Sequence, residues 1–254
     1  MSIVKAIAVA FSMYSRIPMP RFNWNSQDMK YHLIFFPFVG AVIGVLEYGW
    51  LQLFKGFKIE QIVFAIIAIV IPIVFTGGFH IDGFMDTSDA LASWGDKEKR
   101  LEILKDSHVG AFAIIRLLVL VLVLFSAVMS MNEKGFMAWQ FSFFSARAVS
   151  GICVVRNKKA KKDGILKTSA DTADDKIVMI ALAILFVISA VVAEGMFGMY
   201  WIVQLLALLL VLIYYIYVAY SKFGGITGDL AGWFLCKAEV YMAVAVAIYS
   251  LFIR

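Results

Sequence analysis

Between Thr76 and Leu91 the chain reads TGGFHIDGFMDTSDAL, placing one histidine and three aspartates directly after an apolar run from Ile62 to Phe75. With the residues from Phe84 onward helical, Asp82, Asp86 and Asp89 stand at i, i+4 and i+7, within roughly 60° of one another. Carboxylates that close repel each other unless a cation lies among them, and hard oxygen donors of this kind suit Mg²⁺. Aspartate is also common at helix starts, where it caps the helix and meets the dipole favourably. Beside a membrane span, however, unpaired negative charge is expensive, which favours a metal site at Asp82, Asp86 and Asp89. His80 is a candidate to take a proton from an attacking hydroxyl; a structural role for a lone histidine is the competing reading.

Three further groups carry chemistry. Arg147 lies about nine residues, or ~13 Å, from the basic end of an apolar segment, a depth that calls for an anionic partner, either a protein carboxylate or a phosphate. Lys105, Asp106 and Ser107 precede a histidine in a short polar segment, and Thr227, Gly228 and Asp229 close a glycine-rich stretch that begins at Lys222. Carboxylates for Mg²⁺, cationic side chains and glycine-loop N–H groups are the parts a phosphoryl-transfer site needs. Glu47, well inside an apolar segment, reads equally as a functional group or as a buried hydrogen bond.

The elements that hold these groups are membrane helices. Of 254 residues 62% are hydrophobic and only 16% charged, with a mean hydropathy of +0.87, far above a soluble domain. At ~20 residues per span, the pattern predicts an all-α, polytopic integral membrane protein. It has about seven transmembrane helices plus short interfacial helices, forming a single membrane-embedded catalytic domain over residues 1–254. The expected spans are 33–54, 62–79, 111–131, 136–155, 177–197, 199–220 and 233–253. Pro72 should kink the second. Gly40 and Gly44 should let a neighbour approach the first. Asp96 should cap a short helix running from Lys97 to Asp106. Ile3 to Met13 is too short to cross and reads as interfacial. Cys153 and Cys236 give no disulfide framework.

With the amino terminus in the cytoplasm, residues 5–30, 97–105, 156–176 and 222–237 share one side and hold seventeen Lys and Arg, against four on the other. This positive-inside asymmetry places every candidate loop at the cytoplasmic face. The net charge of +5 therefore speaks for orientation and not for nucleic acid.

The run Gly77-Gly-Phe-His-Ile-Asp-Gly-Phe-Met-Asp-Thr-Ser-Asp89 resembles the signature of the cobalamin synthase family, the adenosylcobinamide-GDP ribazoletransferases. The resemblance covers the chain: Arg16-Ile-Pro-Met-Pro20, Phe36-Pro-Phe-Val-Gly40, the segment Leu101 to Gly110, Ser145-Ala-Arg147, and Gly224-Gly-Ile-Thr-Gly-Asp229 with Gly232 and Glu239 all match family segments. Ile226 departs from a frequent Gln, Trp233 from a small residue, and Cys236 from an additional Glu. The resemblance implies a Mg²⁺-dependent transfer joining adenosylcobinamide-GDP to α-ribazole or its 5′-phosphate, giving adenosylcobalamin or its phosphate and GMP. His80 and Asp89 compete as general base. Arg16, Lys105, Asp106, Ser107, Arg147, Thr227, Gly228, Asp229 and Glu239 are the substrate-binding candidates. The expected setting is the inner membrane, with the lipid bilayer and both substrates as partners; a homo-oligomer or association with other cobalamin-pathway enzymes is allowed. Two alternatives stand beside it: a CDP-alcohol phosphotransferase, whose Asp-Gly is usually followed by Ala-Arg where this chain has Phe84-Met85, and a divalent-cation transporter with Glu47, Arg116 and Arg147 lining a path.

Overall fold

A computed structural model describes residues 3–20, 29–106, 108–160 and 173–253. Ser107 and the lysines Lys161, Lys162 and Lys167 lie outside the described residues. The described chain is helical: α1 (Ile3–Tyr14), a 3-10 turn (His32–Phe35), α2 (Phe36–Gly56), α3 (Gln61–Thr76), α4 (Phe79–Ala92), α5 (Lys97–Ile103), α6 (Ala111–Ser130), α7 (Glu133–Trp139), α8 (Phe141–Arg156), α9 (Asp175–Phe197), α10 (Met199–Val218) and α11 (Gly228–Phe252). Among the described residues six helices are long and apolar enough to cross a membrane, α7 and α8 counting as one. The bent pair α3–α4 brings the count to seven if it is taken as one span. The protein is an all-α, multi-pass membrane protein.

The apolar surface is distributed as a bilayer requires. Trp139, Trp201 and Trp233 are fully buried inside the bundle, whereas Leu118, Leu122, Ile184, Val187, Val191 and Leu210 point outward on α6, α9 and α10. Because lipid tails are as apolar as these side chains, helix association relies on close packing and polar contacts instead. Gly40 supplies such packing: a Cβ there would run into the Phe143 carbonyl of α8. Helix α1 is more than a surface float, since Ala6, Val9 and Ala10 are fully buried against the 3-10 turn and α2.

Three boundaries differ from the expected ones. Helix α3 continues through Pro72 to Thr76, and the sharp change of direction, 95°, comes after it, between α3 and α4. Gly77 and Gly78, at φ 69° and 79°, make that turn. Their N–H groups return to Val74 and Ile73 at 3.1 and 2.9 Å, closing the orphan carbonyls of α3 in the left-handed conformation glycine adopts at no steric cost. Helix α5 stops at Ile103, not Asp106, although Asp96 caps it as expected, accepting from the Lys99 N–H at 2.9 Å. The last span begins at Gly228 and not near Trp233 because the Thr227 hydroxyl accepts from the Leu230 N–H at 3.1 Å, an N-cap that draws Gly228 and Asp229 into the first helical turn.

Candidate active site at a helix crossing

Helices α4 and α11 cross with their backbones nearly touching. A Cβ on Gly83 would stand 2.8 Å from the Asp229 carbonyl oxygen and 2.9 Å from its Cα. A Cβ on Gly232 would stand 3.0 Å from the His80 carbonyl oxygen. Only glycine admits this approach. It joins two motifs 146 positions apart in the chain: Asp82 and Asp86 flank Gly83, and Asp229 occupies the facing turn. Asp82 is exposed, while Asp86 and Asp229 are half-buried.

Other candidates gather at the same end. The Arg16 N–H donates to the Phe75 carbonyl at 2.8 Å, and its side chain lies over Gly77, leaving an exposed guanidinium at the start of α4. Ile226 pairs with the first residues of the basic segment, donating to the Lys158 carbonyl at 2.8 Å and accepting from Ala160 at 2.9 Å. Lys158 is thus held beside the glycine-rich turn. Asp106 sits on an exposed loop, where it accepts from the His108 N–H at 3.0 Å and meets the His108 ring at 2.7 Å. These bonds hold its carboxyl below the usual range. Neighbouring Lys105 is exposed.

Asp89 is placed differently from its expected role. Its carboxylate accepts from the N–H groups of Gly110 at 2.5 Å and Ala113 at 2.9 Å, capping α6 from another helix. A carboxylate there meets both orphan donors and the positive end of the dipole. Asp89 thus shares a helix face with Asp82 and Asp86 without sharing a site. Among the described residues no three His, Cys, Asp or Glu side chains stand close enough to enclose a metal. The donor set that remains, Asp82 and Asp86 one turn apart, still fits Mg²⁺, which is usually held by one or two carboxylates and completed by water and substrate phosphate.

His80, too, leaves the carboxylates. It precedes Asp82 by two residues, or ~200° around the helix, and points into the bundle. There it lines a cavity of about 50 Å³ with Thr76, Trp139, Arg147, Cys236 and Glu239. Among the described residues neither ring nitrogen has a hydrogen-bond partner. A proton acceptor for a hydroxyl bound at Asp82 would need the opposite direction, so the expected general-base role does not follow from this placement. Arg147 is fully buried beside it. The anion its depth demanded is a protein carboxylate: Nη1 donates to Glu239 Oε1 at 2.7 Å and to the Phe143 carbonyl at 2.8 Å. Arg147 and Glu239, both expected at the substrate, pair with each other, and Thr227, also expected there, caps α11. The crossing at Gly83 and Gly232 went unrecognised in the sequence; its signal was a small residue inside each of two polar motifs.

These placements can be set beside known proteins. The family model for cobalamin-5-phosphate synthase matches residues 6–247. The chain is 40% identical over 245 residues to an adenosylcobinamide-GDP ribazoletransferase of Lachnoclostridium phytofermentans, covering 96% of this chain and 94% of that relative. It is 31% identical over 237 residues to one of Clostridium perfringens strain SM101, covering 92% and 94%. A Geobacillus kaustophilus relative of the same name is 30% identical over 240 residues, with 92% of each chain covered. No solved structure gives a significant match. A match running almost end to end, and including both helices of the crossing, means that the chain belongs to the cobalamin-5-phosphate synthase family.

Proposed function

We propose that this protein joins adenosylcobinamide-GDP to α-ribazole, or to its 5′-phosphate, and releases GMP. A ribazole hydroxyl attacks the phosphorus on the cobinamide side of the pyrophosphate. The new P–O bond forms as the bond to the GMP phosphate breaks, and the hydroxyl proton leaves to a carboxylate. The backbone contact between Gly83 and Asp229 carries this reading, because it gathers Asp82, Asp86 and Asp229 at one end of the bundle. Relatives covering more than nine-tenths of the chain bear the name of this activity.

Asp82 and Asp86 are the residues that would hold Mg²⁺, which when bound supplies charge neutralisation on the pyrophosphate oxygens. Arg16 and Lys158 approach the same end and are suited to the non-transferred phosphate. Asp229, on the helix turn facing Gly83, takes the hydroxyl proton. His80 positions α4 from within the bundle, its backbone carbonyl accepting from Cys236 Sγ at 3.4 Å. The seventeen-to-four distribution of Lys and Arg favours a cytoplasmic site in an inner membrane.

The transporter alternative loses support. Arg147 is spent on Glu239, Arg116 lines a different cavity, and its Nη1 donates to the Ser88 carbonyl at 2.6 Å. The test is turnover of the purified protein in lipid vesicles with both substrates, with and without Mg²⁺. GMP release that needs both substrates and Mg²⁺ supports the reading; GMP release without the ribazole, or none at all, refutes it.

A further inference from the structure

A second cavity, of about 480 Å³, lies against the face of α4 turned away from Asp82 and Asp86. Phe84 and Ser88 of α4 line it. They stand ~200° around the helix from Asp82 and Asp86, so the thickness of α4 separates the two places. Its remaining walls come from α6, α10, the turn after α10, and α11.

Among the described residues three cations line this cavity, Arg116, Lys222 and Lys237, and no carboxylate does. Among the described residues none of the three forms an ion pair. Lys237 sits nine residues into α11, ~14 Å along its axis, and its ammonium faces three rings, 4.9 Å from Trp233, 5.3 Å from Tyr241 and 5.5 Å from Tyr214. Rings attract a cation without neutralising it. Arg116 lines the same cavity and adds charge of the same sign. Unbalanced positive charge at membrane depth is costly and calls for an anion. The rim shows which kind: Val119 of α6, Tyr217 of α10 and Tyr241 of α11 line the cavity and are exposed on the outer, lipid-facing surface. An anion that arrives there comes with an apolar tail.

We propose that the cavity bounded by Arg116, Lys222 and Lys237 binds the phosphate of an anionic phospholipid, whose acyl chains lie along the exposed apolar faces of α6 and α10. The phosphate meets Arg116 and Lys222 near the helix ends, and Lys237 reaches up to it from below along its aliphatic stem.

Native mass spectrometry of the full chain in detergent, with added phosphatidylglycerol or phosphatidylcholine, tests this. The expected result is at least tenfold preferential retention of phosphatidylglycerol. Retention should fall to the phosphatidylcholine level in Lys222→Gln/Lys237→Gln and persist in Lys237→Arg, with melting temperatures confirming that each variant is folded. Phosphatidylglycerol brominated on its acyl chains provides a second reading on the native protein, since it should quench a component of fluorescence that Trp233→Phe removes. Equal retention of the two lipids, retention undiminished in the double variant, or quenching unaltered by Trp233→Phe overturns the proposal. Displacement of the lipid by millimolar inorganic phosphate also overturns it, because it identifies a site for soluble phosphate.

Discussion

Gly83 and Asp229 meet backbone to backbone, 146 positions apart in the chain, with no room for a methyl group between them: a Cβ on Gly83 would fall 2.8 Å from the Asp229 carbonyl oxygen. Gly83→Ala must therefore separate α4 from α11. Overpacking of this kind costs about 1–3 kcal/mol, while a shift of an ångström in a catalytic constellation costs about 10²-fold in rate. Turnover should fall by that factor with helicity by circular dichroism unchanged.

The last two aspartates of the acidic motif should separate by phenotype. Asp89→Ala removes the acceptor for Gly110 and Ala113 and should lower stability by about 1–2 kcal/mol, seen as a lower melting temperature with the Mg²⁺ requirement unaltered. Asp86→Asn should leave melting unchanged and abolish Mg²⁺-dependent GMP release. Titrating Mg²⁺ against both variants checks the pair.

Arg147 and Glu239 should behave as a coupled unit. Glu239→Leu alone strands a buried guanidinium, and breaking a buried pair costs roughly 3–5 kcal/mol. Arg147→Met together with Glu239→Leu removes both charges and should recover most of that loss. Thermal unfolding of the two single variants and the double variant measures the coupling.

The loop before α6 should respond to acid. Hydrogen bonds from His108 hold the Asp106 carboxyl below its ordinary value. The turn is thus fully formed above the ordinary carboxylate range and is lost as pH falls through the lowered value. Carboxyl ¹³C NMR of labelled protein should show Asp106 titrating low, and His108→Ala, which removes the ring but keeps the backbone donor, should raise it part of the way.

The spans were legible because runs of about twenty apolar residues have few other fates, and the acidic motif was legible as a helix from its spacing. The divergence of His80 from Asp82 was not, because the helix was read from Phe84 onward whereas α4 begins at Phe79, and two residues apart on a helix means opposite sides. What each side chain meets was not legible. Asp89 reaches partners 21 and 24 positions away, and Arg147 a carboxylate 92 positions away; contacts of that range depend on how helices cross. Thr227 read as part of a binding loop because a cap and a phosphate cradle use the same short polar residues. The difference is one helical turn, which only the fold decides.

The right-angled bend at Gly77–Gly78 has a geometric corollary. Had α4 carried on along α3, Asp89 would lie ~10 Å further along that axis than Asp82, at 1.5 Å per residue. Turned through 95°, the helix gains nothing along that axis, and its acidic residues lead instead toward the start of α6, where Gly110 and Ala113 hold Asp89. On the activity proposed above, a ring system too bulky to enter the hydrocarbon could remain in water and rest only its phosphates at Asp82 and Asp86.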